Sequence, residues 1–262
     1  MKKLLTLLFT IALTSLFSCD TYKENFDVDG TGSITIKFNF LHDRAPLEYN
    51  RQYINALGQN YTLSDFRMYI SNLTLRDTSG TNFYKVEDSY HLLEIIEESD
   101  TSIVITGLPN KSYSELQFSV GVDNAANYNT DQVGDLDPAN GMAWNWDTGY
   151  KFMLVEGLHL VDSISTKGLV YHIGGDANYR VVKFSEQEIN LANTPTMYIE
   201  LDVNVDYIFG DKSEYGLPED QRKTNFIDLN DDTDQDTMFG PNTQKIADNY
   251  AQMFTWKDII GQ

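Results

Sequence analysis

Cysteine is almost absent from this chain. Cys19 is the single one, so no disulfide can form within a monomer and the fold must rest on its buried core. Basic residues are also scarce, 19 against 39 acidic ones, giving a formal net charge of −20. This imbalance excludes nucleic acid as a partner, because so acidic a chain is repelled by phosphate backbones and draws cations instead. The apolar run at residues 4–17 falls short of the roughly 20 residues that a bilayer-spanning helix needs. No nucleophile elbow, phosphate loop, zinc-protease helix or paired-cysteine metal motif occurs. The chain therefore reads as a binding protein and not as an enzyme.

What is present begins with an address. Met1-Lys2-Lys3, the apolar run and Ser18-Cys19 read as the charged region, hydrophobic region and cleavage site of an export signal. Cys19 stands where a bacterial lipoprotein carries its lipid, so residues 1–18 are expected to be a lipoprotein signal peptide. The mature protein is then expected in the cell envelope, held at the outer membrane through that lipid, on the periplasmic or the surface face. Loss of Lys2 and Lys3 leaves 17 basic against 39 acidic residues, a net charge of −22. Residues 19–32, polar and with Gly30 and Gly32, read as a flexible tether. Residues 33–262 show neither repeat nor linker and are expected to form one domain.

Within it, Ile34, Ile36, Phe38 and Phe40 alternate with polar residues, as do Leu116, Phe118, Val120 and Val122, and Met197, Ile199, Leu201, Val203 and Val205. A period of two marks half-buried strands. Between Arg67 and Arg76 the apolar phase slips from Met68 and Ile70 to Leu73 and Leu75, which predicts a bulge at Ser71-Asn72. Further strand-like runs cover 83–95, 101–106, 149–156, 165–173 and 179–184. Ile246, Tyr250, Met253 and Phe254 follow a helical spacing after Pro241-Asn242-Thr243. The expected fold is all-β, an antiparallel β-sandwich with long loops and a C-terminal helix.

The loop from Leu136 to Tyr150 holds two of the three tryptophans, Trp144 and Trp146, among the turn residues Pro138, Gly141 and Gly149. Large aromatics on a turn-rich loop are expected to be held in fixed positions. They either anchor the loop or serve as a site. Of the histidines, His172 is the best candidate ligand, since Leu169, Tyr171 and Ile173 claim one strand face and leave it on the other. His159 follows on the parity of Met153 and Val155, across Gly157, which threatens the register. His42 and His91 read as structural or surface residues. The acidic run at 228–236 lacks the sixth-position glycine and twelfth-position glutamate of an EF-hand in either register, and reads as a solvated loop.

Taken in order, these segments resemble the MbnP-like copper-binding family. The resemblance rests on the opening strand at 34–40, Leu63-Ser64-Asp65-Phe66-Arg67-Met68-Tyr69-Ile70-Ser71-Asn72-Leu73, Ser119-Val120-Gly121-Val122-Asp123, the tryptophan loop, Tyr171-His172-Ile173-Gly174-Gly175 and Ile246-Ala247-Asp248-Asn249-Tyr250. It implies an exported β-sandwich that binds copper. It also implies a MauG-type dihaem partner that oxidises a loop tryptophan to kynurenine, which joins histidine as a ligand. An indole nitrogen is only a donor, whereas kynurenine offers a ketone oxygen and an aromatic amine. Trp144 and Trp146 are the matching modification candidates and His172 the matching imidazole. The family pattern has a second histidine ahead of the terminal helix, where this chain has Met238-Phe239-Gly240-Pro241. Met142, Met238 and His159 are the candidates to replace it. The alternative is a metal-free envelope lipoprotein that uses the Trp144/Trp146 loop to hold a small molecule, glycan or protein.

Overall fold

A computed structural model describes residues 31–95, 101–129, 131–145, 148–231, 240 and 242–261. Its strands in chain order are β1 (Thr31–His42), β2 (Ala45–Pro46), β3 (Tyr53–Ile54), β4 (Asn60–Asp77), β5 (Phe83–Lys85), β6 (Tyr90–Glu94), β7 (Ser102–Pro109) and β8 (Ser112–Val120). They continue with β9 (Ala143–Asn145), β10 (Gly149–Leu160), β11 (Thr166–Gly174), β12 (Arg180–Asn190), β13 (Thr196–Asn204) and β14 (Phe254–Gly261). The α-helices among the described residues are α1 (Asn124–Asn127) and α2 (Thr243–Gln252), with six short 3-10 turns between them in the chain. Among the described residues the smaller sheet runs β14-β13-β1-β2 with β7 also on β1. The larger runs β11-β10-β4-β8-β12, with β3, β5 and β6 on β4 and β9 on β10.

The two sheets face each other across one large core. Ile34, Ile36, Phe38 and Phe40 of β1 point into it, as do Phe66, Met68 and Ile70 of β4 and Met153 and Val155 of β10. Phe118 meets Phe38 at 6.0 Å and Phe254 at 5.0 Å, both edge to face. These contacts tie the large sheet to β1 and β14, and each such pair contributes about 0.5–1.5 kcal/mol beyond its buried area. A second, smaller cluster of Tyr69, Val122, Leu136, Met142, Tyr150, Phe152 and Leu154 lies on the other side of the large sheet. There the opposite parity of β4 and β10 is covered by the tryptophan loop. Both faces of that part of the sheet are thus apolar.

The sandwich departs from the sequence expectation in four places. β1 pairs with β13 in parallel, while every other pairing among the described residues is antiparallel. A parallel pair needs a long crossover, and here the larger sheet supplies it. β1 starts at Thr31, inside the expected tether: Gly32 belongs to it, and a Cβ there would meet Leu191, Asn110 and Pro195 at 3.0–3.2 Å. Residues 19–30, Cys19 included, lie outside the described residues, as does the expected signal peptide. The helix stops at Gln252, and Phe254 opens β14, turning inward as a strand residue. The run 83–95 is two strands, because Asp88 adopts φ +47 and turns the chain.

The bulge at Ser71-Asn72 is present: Asn72 has φ +53 and the β4–β8 register shifts there. A second slip occurs where Glu156 pairs with Asp65 but Gly157 with Leu63. Gly157 is required at that point, since a Cβ would stand 1.9 Å from the Thr62 carbonyl oxygen. The alternation of β10 survives it, and His159 remains on the inner face.

Candidate functional site on the outer face of the larger sheet

The tryptophan loop is fastened mainly through its carbonyl groups, to which side chains of β4 and β10 donate. Asp137 caps the turn at Pro138–Asn140 by accepting from the Ala139 amide at 2.8 Å. Tyr150 donates its hydroxyl to the Leu136 carbonyl at 2.5 Å, and Tyr69 to that of Asp135 at 2.8 Å. Burial pushes both phenols up, with Asp137 adding to the effect at Tyr150 and Tyr150 at Tyr69. They therefore stay protonated and remain donors. Arg67 donates to the Asn140 carbonyl at 3.1 Å and Lys151 to that of Gly141 at 2.8 Å. Burial pulls the Lys151 ammonium down, partly offset by the charge of Glu156. Asn127, fully buried, accepts from the Tyr150 amide at 2.8 Å and donates to Asp176 at 3.2 Å.

This frame delivers Trp144 to a defined place. Ala143, its neighbour on β9, pairs with Tyr150, and the Trp144 ring lies over Gly174 at the end of β11. Two residues earlier on the same strand, and so on the same face, stands His172, opposite Leu154 of β10. Its Nε2 lies 2.8 Å from Oε1 of Glu156, with the histidine side chain 15 % and the glutamate 41 % exposed. A row of charges continues across the face, where Arg67 pairs with Asp65 at 2.7 Å and Glu94 at 3.3 Å.

Of the residues singled out from sequence, the structure places His172 and Trp144 on one face, the indole over Gly174 two residues along β11 from the histidine. Met142 is close in the chain but fully buried in the small cluster, so its thioether acts as an anchor for the loop. His159 sits apart, on the inner face, opposite Tyr61 of β4 and Lys167 of β11, and is buried. Burial lowers its pKa, and the Leu229 backbone bonds it. His42 is packed on Tyr53 at 3.9 Å and bonded to Tyr61 at 2.6 Å, and His91 lies 3.4 Å from the Ser89 hydroxyl. Trp146, Met238 and residues 232–236 of the acidic run lie outside the described residues. Glu156 was missed in the sequence because nothing local marks it. Only the register fixed by the 161–165 turn, in which Leu160 faces Thr166, sets it diagonally across from His172.

Among the described residues no three His, Cys, Asp or Glu side chains gather closely enough to hold a metal. Side by side on this face stand the His172 imidazole and the Glu156 carboxylate, with the Asp65 and Glu94 carboxylates further along it. The imidazole suits copper, and it shares its face with a tryptophan whose indole nitrogen is only a donor. Among the described residues, His172 is thus the one imidazole on this face that could contribute to holding such a metal, with Glu156 beside it.

A mostly antiparallel sandwich whose larger sheet carries a fastened tryptophan loop beside a strand histidine is the class that these features define. The MbnP family model matches residues 31–239, and the chain belongs to that family. Among solved structures it is similar to MbnP from Methylosinus trichosporium, at 18 % identity and a TM-score of 0.51, over 70 % of this chain and 78 % of that one. At that identity the likeness speaks for the fold. Comparison with curated proteins gives no match.

Proposed function

We propose that this MbnP-family protein is a non-enzymatic, lipid-anchored protein of the cell envelope that handles copper on the outer face of its larger sheet. His172 is the imidazole ligand. Trp144 or Trp146 is the residue oxidised to kynurenine by a MauG-type dihaem partner. The observation that supports this most is the shared face of His172 and Trp144, with the indole seated over Gly174 one strand step from the imidazole. Bound there, copper would supply Lewis-acid or one-electron chemistry. The chain's own part is to hold the imidazole with Glu156, fix the loop through Tyr69 and Tyr150, and keep the tryptophan against the sheet.

The test is mass spectrometry of protein purified from its native host, with copper quantified in the same sample. A kynurenine mass on the peptide carrying Trp144 and Trp146, with stoichiometric copper that a His172→Ala variant loses, is the expected result. Unmodified tryptophans and no copper would select a metal-free binding protein instead. One observation favours that second reading: a cleft of about 530 Å³ beside Gly174, bounded by Gly175, Asp176, Asn178, Thr243 and Gln244.

A further inference from the structure

The partner of His172 decides which of its two nitrogens is available. A carboxylate accepts hydrogen bonds and donates none, so whenever the His172 ring is neutral, the 2.8 Å contact from Nε2 to Glu156 places the hydrogen on Nε2. Nδ1 then keeps its lone pair. We propose that Glu156 is the positioning residue of the site, holding His172 as the Nε2–H tautomer so that Nδ1 is the nitrogen offered to copper. The inference rests on the copper reading above. Its support is geometric: the β10–β11 register places Glu156 diagonally across from His172 on the outer face, and Trp144 covers the strand at the next position on that face, Gly174. Carboxylates behind metal-binding imidazoles fix ring orientation and strengthen the donor atom. A part-exposed hydrogen-bonded pair of this kind contributes little to stability. Removal of Glu156 therefore tests orientation with little effect on folding.

The experiment uses protein from the native host grown on ¹⁵N, with histidine side-chain NMR at pH 8, before and after addition of Cu(I), which is diamagnetic. The wild type is expected to show His172 protonated on Nε2, with Nδ1 as the resonance that copper moves. Glu156→Ala is expected to mix the tautomers and weaken copper binding about 10- to 100-fold, with an unchanged melting temperature. Glu156→Gln, which keeps an acceptor oxygen, should recover part of both. Hydrogen on Nδ1 in the wild type, copper on Nε2, or undiminished binding by Glu156→Ala would each overturn the proposal. If the wild type takes up no copper, the copper reading fails and the metal half of this proposal with it, while the metal-free spectrum still shows whether Glu156 sets the tautomer.

Discussion

The ring of Trp144 fills the space that a side chain at Gly174 would need: Cζ3 and Cη2 lie 2.5 and 2.7 Å from the position of a Cβ there, and the Tyr150 carbonyl oxygen closes the other side. The two residues form one lock. Replacing Gly174 with alanine should expel the indole and loosen the loop, at a cost of about 1–3 kcal/mol for overpacking. Urea denaturation and tryptophan emission should both report it, and a variant with wild-type stability and emission would refute the close contact.

Met142 and His172 should separate stability from binding. Met142→Ala removes a fully buried side chain from the small outer cluster and should cost about 2–5 kcal/mol in chemical denaturation. His172→Ala removes a part-exposed ring paired with a part-exposed carboxylate and should leave stability within about 1 kcal/mol. Copper titrations of the folded proteins should show the reverse order, with His172→Ala impaired and Met142→Ala close to wild type.

Asn127 joins three segments through one amide. Its loss in Asn127→Ala leaves the buried Tyr150 amide without its acceptor, a penalty of about 1–3 kcal/mol. Gly149 packs on the same side chain. Amide exchange at Tyr150 should therefore accelerate well beyond that of β1 and β13. Equal protection at Tyr150 in variant and wild type would contradict this role.

At the opposite end of the sandwich, two buried groups oppose each other in their response to pH. Burial, then the charge of Asp43, pushes Asp206 up to about 6, whereas burial pushes His42 down to about 4. The raised carboxyl costs stability while ionised, and that cost is relieved as pH falls through about 6 towards the ordinary value of 3.8. The depressed imidazole acts the other way, losing stability as pH falls from the ordinary 6.5 to about 4. Asp206→Asn should therefore stabilise the protein at pH 8 by at most about 3 kcal/mol, taking about 1.4 kcal/mol per pKa unit. The gain should vanish near pH 4, and the loss between pH 6 and 4 should become steeper. Urea midpoints at pH 8, 6 and 4 would show it; a gain that is constant with pH would count against a raised Asp206.

The sequence made the sandwich legible wherever one strand face is buried and the other is not. Ile34 to Phe40 and Met197 to Val205 alternate cleanly because each lines the core on one side only. β14 gave no such signal, since Phe254 alone is buried and the rest of that edge strand is partly or fully exposed. The second slip of β4 was hidden because its cause is on another strand, at Gly157. Of the site, the side of β11 that bears His172 followed from Leu169, Tyr171 and Ile173, and the separation of His159 from it required the inner-facing β10. Glu156 depends on inter-strand register, which no local pattern carries.

The parallel pairing of β1 also bears on how the chain reaches its fold. Ser33 meets Thr196, 163 positions further on, and β7 and β13 flank β1 in the interior of its sheet. The first of the described strands is thus one with a partner that lies near the far end of the chain. Closure of so large a loop is entropically costly and slow. Until residues 196–204 dock, one side of β1 lacks its neighbouring strand, which makes this pairing the expected late and slow step of folding.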